Sequence, residues 1–112
     1  MPAIEIVDIA HPPLGSAEAE AMLDALLRKA LLSGGTTIVK IIHGYGSSGK
    51  GGILRTAVRN WAWRNRSRIC LCLPGEEADM FNAGTRDLIE GTGLSASSLG
   101  PPGAGHTFIR FT

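Results

Sequence analysis

Hydrophobic and polar positions along the chain follow two different periods. Ile4 to Ile9 (IEIVDI) is apolar with Glu5 and Asp8 interposed, which predicts a short strand. His11, Pro12, Pro13 and Gly15 break that pattern and predict a loop. From Ala17 to Leu32 the period becomes helical. Met22, Leu23, Leu26, Leu27 and Ala30 recur at i, i+1, i+4, i+5 and i+8 and make one apolar stripe. Ser16 is the candidate N-cap, Glu18 and Glu20 suit the positive end of the helix, and Asp24 and Arg28 form an outer i,i+4 pair. Ser33-Gly34-Gly35 ends it. Thr36 to His43 is nearly continuous in apolar β-branched residues (Ile38, Val39, Ile41, Ile42), as a central strand covered on both faces requires. Strand, helix and strand at this spacing predict a βαβ unit whose first two strands are parallel.

After a glycine-rich stretch from Gly44 to Gly52, helical periodicity returns. Ile53, Leu54, Ala57, Val58 and Trp61 share one arc, Arg55, Arg59 and Arg66 share another, and Trp63 lies beside the basic arc. Arg68 to Leu73 predicts a third strand ended by Pro74-Gly75. Glu76 to Phe81 and Thr85 to Ile89 suggest helical turns, but glycine, serine and proline dominate up to Gly105, so 76–105 is expected to be irregular and partly mobile. His106 to Phe111 alternates and predicts a last strand, at an edge. The expected fold is one α/β domain over 1–112: a small α/β sandwich, with a mixed four-stranded sheet and two main helices in β-α-β-α-β-β order.

Composition supports this and narrows it. A chain of 112 residues, 44% of them hydrophobic, suits one folded domain and not a disordered one. No apolar run approaches the ~20 residues of a membrane helix, and the acid-bearing N-terminus lacks the basic start of a signal peptide, so a cytoplasmic location without membrane contact is expected. Cys70 and Cys72 are two apart on a predicted strand, too close for an ordinary disulfide, and are expected to be buried and structural. Charge adds more. Between Ala25 and Gly75 there are nine basic residues and no acid, a local charge of +9, flanked by segments that hold all ten acids. Such segregation implies a positive face and an anionic partner, unless the flanking acids neutralise it in three dimensions.

The glycine-rich turn carries the candidate chemistry. Its backbone N–H groups can approach an oxyanion, and the following helix presents its positive end there. Gly44 to Lys50 spells G-x-x-x-x-G-K, the form of a nucleotide-phosphate loop, but Gly51 stands where Ser or Thr would hold magnesium. His43 can serve as acid or base near neutrality, or can sit at a strand end bonded to backbone. Asp8 can orient a histidine, help hold a divalent cation, or cap a turn. Tyr45 and Trp63 can stack on bases. His106 has no evident partner and is assigned a structural place.

His43-Gly44-Tyr45-Gly46 followed by Gly51-Gly52 and Leu54-Arg55-Thr56-Ala57-Val58-Arg59-Asn60-Trp61 resembles the small MutS-related (Smr) domain, with its HGxG turn and LRxAVRxW helix. Coarser similarity extends over nearly the whole chain. The family's LDxH signature is represented by Val7-Asp8-Ile9-Ala10-His11, where the Asp-to-His spacing is three residues and Pro12 follows. A turn at Ala10 would return His11 to the site; a continuing strand would point it elsewhere. The resemblance implies a nucleic-acid-binding domain with endonuclease activity on DNA or RNA, or a non-catalytic binding module. Asp8, His11 and His43 are then the candidate catalytic residues, and parallel neighbouring strands would bring them together at their C-terminal ends. Gly44, Tyr45, Gly46, Lys50, Gly52, Arg55 and Arg59 would then contact phosphate, with Mg or Mn as the candidate cofactor and no metal ligand set assigned.

Overall fold

A computed structural model describes residues 4–45 and 51–112 of the chain. The elements run β1 (Ile4–Asp8), α1 (Ser16–Ser33), β2 (Ile38–Ile42), α2 (Gly51–Arg64), β3 (Leu71–Pro74), α3 (Ala83–Ile89) and β4 (His106–Arg110), with 3-10 turns at Gly75–Glu77 and Ala96–Leu99. One mixed sheet of order β1-β2-β4-β3 results. β1 and β2 are parallel, and β4 is antiparallel to both of its neighbours. The expected α/β fold, its mixed four-stranded sheet and its parallel first pair are all present.

The side chains of the inner strands β2 and β4 alternate between two buried faces. On one face Val39, Ile41 and Ile109 pack under α1 and α2, against Leu23, Leu27, Leu54, Val58 and Trp61. On the other, Ile38, Phe108 and Leu73 pack against Ala78, Leu88 and Leu99. That second layer comes from the segment 76–105. Its single leucines, spaced by glycine and serine, cover the sheet through α3 and two short turns too brief to show a period.

Several local expectations are corrected. β4 lies inside the sheet, between β2 and β3, and not at an edge; His106, Thr107, Phe108 and Ile109 are all buried. Its alternation of polar and apolar residues imitates a half-exposed strand, because the polar pair His106 and Thr107 is buried too. Gly15, not Ser16, is the N-cap of α1, and Glu18 Oε1 accepts its N–H at 3.1 Å. Asp24 does not pair with Arg28; it accepts a 2.8 Å hydrogen bond from Nε1 of the buried Trp61, tying α1 to α2. Ile53 is 58% exposed beside Ser16 and Glu20 at the start of α1, while its neighbour Leu54 turns to the sheet. Cys70 is exposed: β3 starts at Leu71, so Cys70 belongs to the preceding turn. Cys72 is partly buried, and both thiols are free.

Gly75 sets a tight constraint at the end of β3. A Cβ there would collide with the carbonyl oxygens of Gly103 and His106 and come within 2.5 Å of His106 Cδ2. Two of the three obstacles are backbone and cannot swing away. Gly75→Ala is therefore expected to lower stability by about 2–3 kcal/mol, seen as an earlier urea midpoint at unchanged slope.

Candidate functional site

β1, β2 and β3 run in one direction, so their C-terminal ends meet the start of β4 at one end of the sheet. Asp8, His43, Glu76 and His106 lie there, together with Arg55 and Arg59 from α2.

The Asp8–His11 loop closes on itself. The Asp8 carboxylate accepts the backbone N–H of Ala10 at 2.8 Å and that of His11 at 3.2 Å, which bends the chain after β1. The bend brings His11 Nδ1 to 2.9 Å from Asp8 Oδ2. The three-residue spacing is thus absorbed by a turn, and the two side chains form a pair at the edge of the sheet. Partial burial pushes the Asp8 carboxyl up, but the Ala10 N–H and the His11 ring and N–H outweigh it and hold it below its ordinary value. The His11 side chain is 74% exposed.

His43 is in the opposite situation. Its ring is fully buried. Nδ1 lies 3.0 Å from the Gly44 carbonyl oxygen and Nε2 lies 2.9 Å from Thr107 Oγ1. A carbonyl only accepts, so Nδ1 carries the proton and Nε2 accepts from the Thr107 hydroxyl. Thr107 Oγ1 in turn accepts from Arg59 Nε at 3.3 Å, and Arg59 Nη2 pairs with Glu76 at 2.6 Å. One chain of bonds therefore runs from the glycine turn through β4 and α2 to the end of β3. Burial lowers the pKa of His43. The Gly44 carbonyl opposes this, and the Arg59 and Arg55 guanidiniums reinforce it. Glu76 is held below its ordinary value by the hydrogen bond from Arg59 first.

The parallel strands bring Asp8 and His43 to one end of the sheet but not to one face. Asp8 is in register with Ile42, and Ile42 with His106, so these three share a face. His43 projects to the other, towards Thr107 and α2. The expected convergence of Asp8, His11 and His43 is replaced by an exposed Asp8–His11 pair and a buried His43. His106, set aside in the sequence, stands on Asp8's face, 8% exposed, with a buried Nε2 that has no partner among the described residues. Its pKa is lowered by burial and then by Lys40 and His43. Tyr45 stands beside it, over Gly103 and Gly105; a Cβ on Gly105 would approach the Tyr45 ring to 2.8 Å.

Among the other expected phosphate ligands, Gly44 is clamped by its N–H to the Gly105 carbonyl at 3.0 Å and has a φ of 83°, which favours glycine. Tyr45 is exposed, and Gly52 is the second residue of α2. Gly46 and Lys50, and with them most of the G-x-x-x-x-G-K spelling, lie outside the described residues. Arg55 is partly buried and makes no ion pair among the described residues, whereas Arg59 is engaged by Glu76. The positive segment is thus partly neutralised by the flanking acids: Glu76 pairs with Arg59, Glu20 with Arg64 and Glu5 with Lys29. Glu76 and Thr107 were not legible as site residues, because only the sheet register sets them against α2. Among the described residues no group of three or more His, Cys, Asp or Glu could hold a metal ion, and no helix is long and apolar enough to cross a membrane.

The family model of the Smr domain matches residues 13–78. The match runs from the loop before α1 to the turn after β3. It takes in His43, the glycine turn and α2, and leaves Asp8, His11 and β4 outside. No curated protein and no solved structure matches the chain.

The two buried histidines make stability depend on pH in a definite direction. Both have pKa values lowered in the fold, so the unfolded chain, whose histidines titrate near ~6.5, binds more protons as the pH falls. Their contribution is complete above pH ~6.5 and is lost on acidification through their lowered values. Urea midpoints between pH 8 and 5 are expected to be flat at the alkaline end and to fall below that point; a midpoint that rises on acidification would contradict the assignment.

Proposed function

The chain belongs to the Smr domain family, and from that premise we propose that it binds nucleic acid and cleaves phosphodiester bonds of DNA or RNA at the Asp8–His11 end of the sheet. The observation that carries the cleavage reading is the 2.9 Å contact between Asp8 Oδ2 and His11 Nδ1 on an exposed ring. With Nδ1–H donated to the carboxylate, Nε2 is left as the bare nitrogen. It can take a proton from a water molecule, or from the 2′-OH of RNA, as that oxygen attacks phosphorus; the phosphorus bond to the departing sugar oxygen then breaks, and that oxygen takes a proton from the imidazolium or from water. Asp8 positions the ring and favours the imidazolium that forms.

The remaining residues serve binding. With the Gly44 N–H held by the Gly105 carbonyl, Tyr45 and the residues that follow it in sequence are the candidates for phosphate contact, with Arg55 as the cation beside them. Gly52 allows the backbone at the start of α2 to come close. Arg59 contributes by positioning, since its guanidinium is committed to Glu76 and Thr107. His43 likewise fixes the turn and does not meet the substrate. A divalent cation, Mg or Mn, would have Asp8 as its protein carboxylate, in competition with the His11 ring that the same carboxylate holds. It would supply charge neutralisation at phosphorus.

A second reading is a non-catalytic binding module. It is favoured by the state of His43, whose two ring nitrogens are both used inside the fold.

Incubation with supercoiled plasmid and with single-stranded RNA, with and without EDTA, separates the two. His11→Ala is expected to lower the cleavage rate by about 10²-fold or more with binding retained. Asp8→Asn is expected to lower it less, by misorienting the ring. Binding without cleavage by the unmodified protein would leave the module. Retained cleavage in His11→Ala would remove the dyad from the mechanism. Affinity for either nucleic acid is expected to fall steeply with salt, as contacts from Arg55 and the basic segment require; insensitivity to salt would overturn both readings.

A further inference from the structure

A groove of about 290 Å³ lies between the C-terminal half of α2 and β3. Arg59, Trp63 and Arg66 form one wall, and Ile69, Cys72 and Pro74 are among the residues opposite. Trp63 is 66% exposed, an unusual placement for an indole. The Arg66 guanidinium lies 4.0 Å from its ring centroid. Two arginines line the groove; Arg59 is paired with Glu76, and Arg66 makes no ion pair among the described residues.

From these features we propose that the groove holds one unpaired nucleobase of a bound strand, stacked on Trp63 with Arg66 beside its phosphates. This deepens the nucleic-acid reading above and rests on it. It names the substrate class as single-stranded, or duplex next to an unpaired nucleotide. Three observations select this occupant. The volume is at the small end of ligand clefts (~300–1,000 Å³), enough for one planar base and too little for a duplex edge. The lining is apolar and aromatic with the Arg66 cation, which suits a base attached to an anionic backbone and gives stacking without sequence preference. A peptide adding to the free edge of β3 is disfavoured, since that strand is four residues long and ends in Pro74. Arg59 also connects the groove to the site: it walls the groove and, through Thr107 and Glu76, holds His43 and the end of β3. A strand lying along α2 would therefore pass from the groove to the glycine turn.

Binding of fluorescently labelled oligodeoxythymidylate and of an abasic strand of equal length tests the proposal on the intact chain, with Trp63→Ala and Trp63→Phe variants. The exposure of Trp63 makes both replacements compatible with folding, to be checked by circular dichroism. Unmodified protein is expected to bind the thymidylate strand about tenfold tighter than the abasic one. Trp63→Ala should lose that difference by weakening the thymidylate strand alone, and Trp63→Phe should keep most of it. Because Trp61 is buried, quenching of intrinsic fluorescence by the thymidylate strand should disappear in both variants. If the unmodified protein binds both strands equally and Trp63→Ala changes neither, or weakens both alike, the base site is overturned while the nucleic-acid reading stands. If the unmodified protein binds neither strand, nor duplex, both fall. A concentration-dependent dimer that shields Trp63 and is lost in Trp63→Ala would overturn the base site in favour of a second copy of the chain.

Discussion

A fully buried histidine can keep both ring nitrogens satisfied only if the fold supplies one acceptor and one donor in the right places, and His43 receives both. The Gly44 carbonyl accepts a hydrogen bond from Nδ1–H and the Thr107 hydroxyl donates one to Nε2. That requirement fixes β2 against β4 and, through Arg59, fixes α2 over both. Arg59 then pins the end of β3 through Glu76. Four elements are thereby held at the sheet end where the glycine turn begins. The energetics of such a network are uneven: intact, each bond adds modestly, but removing one member strands a buried donor or acceptor.

The alternation of a sheet divides this end of the molecule. A parallel pair brings strand ends together but leaves successive side chains on opposite faces. Asp8 and His106 go with Ile42 to one side, and His43 goes with Thr107 to the other. The exposed and the buried chemistry are therefore separated. Asp8 and His11 stand in contact with solvent, while burial lowers the pKa of His43 and favours its neutral ring inside the scaffold.

Charge follows the same division between supporting and available groups. Arg59 and Arg64 are bound to Glu76 and Glu20 at the flanks of the basic segment, and Lys29 meets Glu5. These contacts orient helices more than they stabilise them, as exposed ion pairs contribute little. Arg55, with no such partner among the described residues, and Arg66, stacked on Trp63, retain their charge for an anion.

Much of this was decided by local pattern. The helical stripe Leu23–Leu27–Ala30, the β-branched run Ile38–Ile42, the glycines that stop α1 and the Leu54–Val58–Trp61 arc carry their periods within single segments, so they could be read directly. The family likeness rested on contiguous residues from His43 to Trp61 and was equally legible. What depended on pairing between distant segments was not. The interior position of β4, the cover formed by 76–105, the partnership of Trp61 with Asp24 and of Arg59 with Glu76, and the opposite faces of Asp8 and His43 all follow from sheet register and layer packing. The physical reason is that a residue's period states which face it shares with its near neighbours. Which other segment covers that face is settled only when all the apolar faces are buried at once. The sequence by itself determined the elements and the glycine turn; the tertiary structure decided that His11 meets Asp8 and that His43 holds the turn from inside.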